Sequence, residues 1–142
     1  MNRLLAALGL ALAALLVAVP AAAQYPERPL KLLVPFPPGG AADTFGRLVA
    51  QKLTDAWGKA VVVENRTGAG GIIATEATAK SPADGYTFLI VTVGHAVNPS
   101  LYAKLPYDPA ADFVPVAMLA TYPFMVVVNN ELPGTSIKEL IA

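Results

Sequence analysis

One stretch constrains the fold more than any other, because an apolar run, a turn and an amphipathic segment follow one another directly between residues 30 and 57. The run Leu30–Val34 is apolar except for Lys31, which is typical of a strand that is buried on both faces. Two prolines and two glycines at positions 37 to 40 then predict a tight turn. Apolar residues recur beyond it at helical spacing, at Ala42, Phe45, Val49, Leu53 and Ala56. The stretch therefore predicts a strand, a turn and a helix in direct succession.

The turn of this unit is a candidate anion-binding site. The first N–H groups of a helix have no partner within the helix, and the helix dipole places partial positive charge at the same end. Open α/β sheets bind their ligands beyond the carboxyl ends of their strands, which is where Pro35 to Asp43 are expected to lie.

Residues 1–23 have the pattern of a secretory signal peptide. Arg3 supplies a positive charge, residues 4–19 are apolar, and Ala21-Ala22-Ala23 fits an A-x-A cleavage motif. The apolar run is short for a membrane span of about 20 residues, which argues against an uncleaved anchor. We therefore expect export to the periplasm with cleavage after Ala23.

The composition of the remaining 119 residues bounds their function. They are enough for about one small domain. They carry nine basic and ten acidic side chains, and a net charge of −1 does not suggest a nucleic-acid partner. Cysteine is absent, which excludes a disulfide framework and a thiol site.

Strands and helices are predicted to alternate after the first helix. Residues Ala60–Glu64 and Tyr86–Val93 are rich in β-branched residues and are predicted strands, and Ile72–Lys80 is a predicted helix. The inward-facing residues of this helix are expected to be Ile73, Ala74 and Ala77. Helical crossovers between consecutive strands imply an α/β fold with a mostly parallel sheet flanked by helices.

The last third of the chain is harder to assign. Residues 94–112 are predicted to be a long loop with one helical turn at Pro99–Ala103. Two more strands are predicted at Phe113–Ala120 and Phe124–Asn129. Ser136 and Glu139 have the spacing of a capping box that begins a last helix. The apolar residues of that helix have no evident partner, so we expect the sequence to be the front part of a longer protein.

Five segments in this order resemble the substrate-binding receptors of tripartite tricarboxylate transporters, also called the Bug family. They are YPERPLKLLVPFPPGGAADTFGRLVAQKL, VVVENRTGAGG, SPADGYTFLI, NPSLYAKLPYDPAADFVPVAMLA and VVVNNELPGTSIKELIA. The resemblance implies a lobe of the type II periplasmic binding protein kind, from a two-lobed receptor that closes around a small organic acid. Such a receptor presents its ligand to the membrane permease subunits of the transporter.

The resemblance also implies a domain division and a molecular class. Residues 24–123 are expected to form the first lobe, and residues 124–142 a crossover strand and the start of a second lobe that is truncated. A receptor of this kind is not an enzyme, needs no cofactor or metal, and is a monomer if complete. A non-functional truncated receptor remains an alternative.

The first loop is expected, by the same resemblance, to hold one ligand carboxylate through backbone N–H groups and bridging water. The candidate residues are Phe36, Gly39, Gly40, Ala41, Ala42 and Asp43. Phe36 is expected to cover the apolar part of the ligand. Asp43 would repel an anion unless it faces the loop backbone, so the role expected for it is helix capping. A turn that binds nothing is the alternative for Gly39 and Gly40.

Two further loops are expected at the same edge of the sheet. The second contributes Gly68, Ala69 and Gly70, although a turn that only packs a helix against a strand fits equally well. The third contributes Thr92, Gly94, His95 and Asn98, whose polar groups could complete a pocket. His95 is the single histidine and has no metal-ligand spacing around it, so a hydrogen-bonded loop histidine is expected in place of a metal site.

The competing class is a dinucleotide-binding α/β enzyme domain. Residues 68–74 are glycine-rich, follow a predicted strand and open a predicted helix. The dinucleotide fingerprint, however, requires glycine where Ile73 stands, and an acidic residue at the end of the next strand. That strand ends in Val93-Gly94-His95, so the receptor is the preferred interpretation.

Overall fold

A three-stranded parallel sheet lies at the centre of the part of the chain that the computed structural model describes, namely residues 25–123, 125–132 and 136–141. The predicted signal peptide lies outside these residues. The elements are β1 (Leu30–Val34), α1 (Ala41–Trp57), β2 (Val61–Asn65), α2 (Ile72–Ala79), β3 (Thr87–Leu89), α3 (Val93–Leu101) and α4 (Ile137–Ile141). A 3-10 turn, Ala69–Gly71, precedes α2.

Strand β1 occupies the middle of the sheet, in the order β2-β1-β3. It pairs with β2 from Leu30 opposite Val61 to Val34 opposite Asn65, and with β3 from Lys31 opposite Thr87 to Leu33 opposite Leu89. Both pairings are parallel, as the sequence predicts. This central position explains why four of the five residues of β1 are buried and only Lys31 is exposed.

Helices α1 and α2 cover opposite faces of the sheet. The chain moves from β1 outward to β2 through α1, and then back across β1 to β3 through α2, so right-handed connections place the two helices on opposite sides. The α1 side forms the apolar core, which consists of Leu32, Val34, Ala50 and Ile90. The fold is therefore an α/β sheet with both faces covered, as predicted.

The buried face of α1 differs from the predicted one. Asp43, Gly46 and Ala50 face the sheet, whereas Phe45 is 39% exposed and Ala56 is exposed. A Cβ atom at position 46 would lie 2.9 Å from Ile90 Cδ1 and 3.1 Å from Val34 Cγ2. The helix approaches the sheet so closely that small side chains are required where it touches, and the larger Phe45 turns outward.

Helix α2 shows a similar difference. Ala74 and Thr75 are buried and Ala77 is partly buried, but Ile73 is 48% exposed, contrary to the prediction. Thr75 Oγ1 donates a 2.9 Å hydrogen bond to the carbonyl oxygen of Gly71, so its hydroxyl is satisfied in this buried position.

The predicted strand Tyr86–Val93 is wrong in its second half. Only Thr87–Leu89 form a strand, and Val93–Leu101 is a helix, whereas the sequence predicts a loop from residue 94 with a single helical turn at Pro99–Ala103. The last sheet hydrogen bond on this side runs from Ile90 N to Leu33 O, at 2.9 Å. Strand β1 ends one residue after Leu33, at Val34, and the chain leaves the sheet after Ile90.

The strands predicted at Phe113–Ala120 and Phe124–Asn129 are not found. Residues 113–120 and 125–129 form no regular element, and Phe124 lies outside the described residues. Val114, Met118 and Val127 are more than 80% exposed. Strand propensity alone does not make a strand, because a ladder needs a neighbouring strand to complete its hydrogen bonds.

The N-terminal lead-in is fastened to the opposite edge of the sheet from the glycine loops. The Tyr25 hydroxyl donates a hydrogen bond to the Gly85 carbonyl, and the Tyr25 ring packs edge-on against Trp57 and Tyr86. Arg28 pairs with Asp84 and lies over the Tyr86 ring, 4.1 Å from its centroid.

No helix in the described part of the chain combines the length and apolar character needed to cross a membrane.

Candidate functional site

The candidate residues lie beyond the carboxyl ends of the three strands, on three loops and on the helices that follow them. The first loop leaves β1 and enters α1 at Ala41, the second leaves β2 and enters α2 at Ile72, and the third leaves β3 and enters α3 at Val93. Because all three strands are parallel, their carboxyl ends share one edge of the sheet. The topology thus brings the three predicted loops to the same side of the fold.

The first loop presents the open N-terminus of α1. Gly40 is the residue that precedes the helix, and no side chain caps this end. Gly40 and Ala41 are exposed, whereas Ala42 is partly buried against the core. Gly39 has a φ of +86°, a conformation that side-chain-bearing residues rarely adopt, which explains glycine at this sharp turn. The first N–H groups of this 17-residue helix therefore lie at the edge of the sheet where the strands end.

Asp43 does not cap α1 in the ordinary way. It lies within the first turn of the helix, and its side chain is only 4% exposed. One carboxylate oxygen, Oδ2, accepts hydrogen bonds from Gly39 N and from Arg47 Nε, both at 2.9 Å. The other, Oδ1, accepts one from Asn65 Nδ2 at 2.9 Å. Its negative charge thus faces the loop backbone, as the sequence analysis requires beside an anion site, and it also faces Arg47.

These donors act on the acidity of Asp43. Hydrogen bonds to the ionised form stabilise it, and the Arg47 guanidinium contributes most, followed by the Gly39 N–H and the Asn65 amide. Together they hold the pKa of Asp43 well below its usual range. The carboxylate is therefore charged at any pH near neutrality.

Phe36 lies at the start of the first loop and packs partly buried against the core cluster. Its carbonyl oxygen accepts a 3.0 Å hydrogen bond from Asn65 Nδ2. The residue that is expected to cover a ligand is thus also attached, through its backbone, to the end of β2.

The second loop contains a left-handed turn. Ala69 has a φ of +47°, which is unusual for a residue with a side chain, and Gly70 has a φ of +62°. Gly71 lies against Pro35, the first residue after β1, since a Cβ atom at Gly71 would stand 3.3 Å from Pro35 Cβ. The second loop is therefore fitted closely to the first one.

The third predicted group divides into two. Asn98 is buried, and its Nδ2 lies 3.5 Å from the Gly70 carbonyl oxygen, while a Cβ atom at Gly94 would lie 3.6 Å from the same oxygen. Asn98 and Gly94 thus bring α3 against the second loop. Thr92 is the residue immediately before α3, and its side chain makes no capping hydrogen bond.

His95 lies apart from this contact. It belongs to α3 and not to a loop, and its Nε2 lies 3.2 Å from the Pro109 carbonyl oxygen. Its ring is parallel to that of Tyr107, with centroids 6.1 Å apart, and edge-on to that of Phe113. The hydrogen-bonded histidine that the sequence suggested is thus observed, in an aromatic cluster.

Sequence reasoning missed Arg47, Asn65 and Tyr102. Arg47 follows Asp43 by four residues, a spacing that was visible in the sequence and favours an ion pair on a helix. Asn65 ends β2 and could have been noted as a polar group at the ligand-binding edge. Tyr102 follows α3, and its hydroxyl lies 3.4 Å from where a Cβ atom of residue 70 would be. This proximity could not be read from the spacing.

A parallel sheet with three loops at its carboxyl edge occurs in many α/β folds, and the structural matches assign this one to the periplasmic binding proteins. Several solved structures of that class match. An R. palustris protein solved with adipate is 46% identical, with a TM-score of 0.71 over 82% of this chain and 40% of that one. MatC from Rhodopseudomonas palustris, solved with bound malate, is 36% identical, with a TM-score of 0.63 over 67% of this chain and 33% of that one.

The chain belongs to the tripartite tricarboxylate transporter family receptors, known as TctC, whose family profile matches residues 45–142. BugT of Bordetella pertussis is 47% identical over all of this chain, which covers 44% of BugT. The chain thus spans less than half the length of these relatives. The family consists of substrate-binding receptors, and its members are periplasmic binding proteins.

Proposed function

We propose that this chain forms one side of a cleft that captures a small organic acid for a tripartite tricarboxylate transporter. The observation that carries the proposal is the open N-terminus of α1, which lies at the carboxyl end of the central strand with no side chain capping it. Its N–H groups and the helix dipole both favour an anion.

A carboxylate is the anion that the surroundings support. Hydrogen bonds from backbone N–H groups to a carboxylate are charge-assisted and need no basic side chain. Asp43 is directed into its own network and leaves the N–H groups of Gly40, Ala41 and Ala42 for a ligand. Solved relatives contain adipate and malate, which are both dicarboxylates.

The complete candidate site combines the three loops. We place one ligand carboxylate at the first loop and assign Phe36 to its apolar part. The remaining candidates are Gly68, Ala69, Gly70, Thr92, Gly94 and Asn98, with His95 behind them. The second loop and α3 contact each other through Gly70 and Asn98, and this contact supports a common wall.

Binding to the described residues is expected to be weak. They contact the acid from one side, where water competes for its hydrogen bonds. A carboxylate on a helix N-terminus gains roughly 0.3 to 1 kcal/mol from the dipole, and a few solvent-exposed hydrogen bonds add little more. We expect a Kd in the millimolar range.

The first prediction concerns Gly40→Val. Gly40 has a φ of −76° and a ψ of 170°, and an added Cβ would meet only the Pro37 carbonyl oxygen, at 3.6 Å. Valine is therefore accommodated by the backbone, but its branched side chain blocks approach to the N–H groups. Because the N–H groups supply most of the weak affinity expected for this chain, blocking them should abolish detectable binding.

NMR titration of the purified chain with adipate, malate, citrate, glutamate and benzoate tests this prediction. Ala56→Val is the matched control, because it adds the same side chain at an exposed position near the far end of α1. Shifts at the amides of residues 40–42 in the wild type and the control, and none in Gly40→Val, are the expected result. Equal titration of Gly40→Val would show that the loop is only a turn.

We further propose that the chain is exported, is cleaved after Ala23 and presents its ligand to the permease subunits of a transporter. Residues 24–123 would then form the first lobe, and residues 124–142 would lead into a second one. Family membership supports this assignment, as does the signal-peptide pattern of residues 1–23. A binding role fits a site built from the backbone N–H groups at the start of α1.

A further inference from the structure

The first loop is attached to the fold at two backbone points. Asn65 Nδ2 donates to the Phe36 carbonyl oxygen at 3.0 Å, and Asp43 Oδ2 accepts from the Gly39 N–H at 2.9 Å. These attachments lie at the two ends of the Phe36–Gly39 turn. The side chains that make them are bonded to each other, since Asn65 Nδ2 also donates to Asp43 Oδ1 at 2.9 Å.

Arg47 closes this cluster. Its Nε donates to Asp43 Oδ2 at 2.9 Å, and its Nη2 donates to Asn65 Oδ1 at 3.1 Å. The Arg47 side chain is 53% exposed while that of Asp43 is 4% exposed. The buried carboxylate is therefore neutralised by a guanidinium that reaches it from the surface of α1.

The two roles of the cluster are separable. Asp43 and Asn65 fix the shape of the turn, because each holds one of its backbone groups. Arg47 donates its hydrogen bonds to the side chains of Asp43 and Asn65, and we expect its effect on an anion at the N-terminus of α1 to be electrostatic. Without Arg47, a full negative charge would stand in the first turn of the helix that is meant to attract the anion.

We propose that Asp43, Arg47 and Asn65 are positioning residues of the acid site: Asp43 and Asn65 hold the carboxylate-binding turn, and Arg47 cancels the charge of Asp43. This inference rests on the proposed function, because it assigns roles at the same site. None of the three residues needs to touch the ligand.

The electrostatic role is tested with Arg47→Gln and with the double variant Asp43→Asn/Arg47→Gln. Arg47→Gln leaves the charge of Asp43 uncompensated, and we expect adipate affinity to fall about tenfold. Removing that charge in the double variant should restore affinity to within about threefold of the wild type. A purely structural cluster would make the double variant no stronger than Arg47→Gln, and that result overturns the proposal.

Asp55→Asn is the matched control. It removes one negative charge from the same helix, where Asp55 accepts a 2.8 Å hydrogen bond from Gln51 and contacts no part of the turn. Wild-type affinity in this variant supports a local effect. A rise in affinity as large as the fall in Arg47→Gln would show that net charge alone governs binding and would overturn the proposal.

Amide hydrogen exchange tests, without any ligand, whether Asp43 holds the turn. In the wild type the Gly39 N–H is bonded to Asp43 and should be protected, and in Asp43→Ala its exchange should accelerate about tenfold while that of β1 amides is unchanged. Unchanged exchange at Gly39 overturns this role. If the wild type binds no acid at all, the proposed function fails, and the exchange result alone then decides whether Asp43 holds the turn.

Discussion

Asp43 accepts hydrogen bonds from Arg47, Gly39 and Asn65, and every one of these donors favours its ionised form. A pKa held below the usual range means that the folded chain binds a proton less readily at Asp43 than the unfolded chain does. The resulting stabilisation is complete above the ordinary carboxyl pKa of about 3.9. It is lost as the pH falls through the lower pKa of the folded state.

Acid should therefore weaken the fold through Asp43, and Asp43→Asn should remove part of that dependence. We expect the variant to be less stable than the wild type at pH 7, with a shallower fall in the free energy of unfolding below about pH 4. Urea unfolding at pH 7, 5, 4 and 3 measures this. The remaining slope should come from Glu64 and Asp108, whose pKa values are also lowered, by the Arg66 ion pair and by backbone N–H groups respectively.

Asp55→Asn again serves as the control and should keep the full wild-type slope. If Asp43→Asn showed the same steep fall as the wild type, the acid dependence would have to arise elsewhere in the chain.

At the scale of elements, the contact between α1 and the sheet depends on Gly46. A Cβ atom there would stand 2.9 Å from Ile90 Cδ1, closer than side chains normally approach. Gly46→Val should therefore force the helix away from β1 and destabilise the fold by about 1 to 3 kcal/mol. Chemical unfolding followed by circular dichroism measures the loss.

Ala56→Val on the exposed face of the same helix tests whether the loss comes from packing. It should change stability by less than about 0.5 kcal/mol, because it disturbs only local helix propensity. A loss as large as that of Gly46→Val would mean that valine weakens α1 itself and not its contact with the sheet.

The strand β1, its turn and helix α1 were predicted from the sequence, whereas the end of β3 and helix α3 were missed, and the difference has a physical reason. An apolar run, two prolines and two glycines are local signals, so β1, its turn and α1 could be placed almost to the residue. The end of β3 is set by β1, whose Leu33 accepts the last hydrogen bond from Ile90. Nothing within Tyr86–Val93 marks that end. The same holds for α3, where burial of Asn98 against the second loop supports a helix that contains Pro99.

In the candidate site, too, one part could be predicted from local sequence signals and another could not. The glycine turn was predictable because glycine readily adopts backbone conformations that other residues avoid, as Gly39 and Gly70 do. The cluster of Asp43, Arg47 and Asn65 joins residues 22 positions apart, from a helix and a strand end. Asp43 and Arg47 share a helix, but the hydrogen bonds of Asn65 to both depend on the pairing of β1 with β2, which brings Asn65 beside Val34. Predicting the network would have required that register first.

At the scale of the whole molecule, the N-terminal fastening bears on how the chain is processed. Tyr25 packs against Trp57 and Tyr86, so the second residue of the proposed mature chain already takes part in the packing of the fold. We predict that the periplasmic product starts at Gln24. Intact-mass spectrometry of a periplasmic extract would show this start.

Substitution at the motif sharpens that test. Ala23→Arg should block cleavage and leave precursor in the membrane fraction, because the position requires a small residue. Ala22→Leu changes only the variable position and should still be processed. A soluble periplasmic product that retains Arg3 would disprove the signal assignment.

Gly39 and Gly40 are neighbours with opposite tolerance for change. Gly39 has a φ of +86°, whereas Gly40 has extended backbone angles, and a Cβ atom there would make only an ordinary contact, 3.6 Å from the Pro37 carbonyl oxygen. A side chain can therefore enter position 40 without backbone strain, directly in front of the N–H groups that we assign to the ligand. Position 40 is thus the place where loss of binding can be separated from loss of folding: side chains of increasing size there would close the site step by step while position 39 keeps the turn in shape.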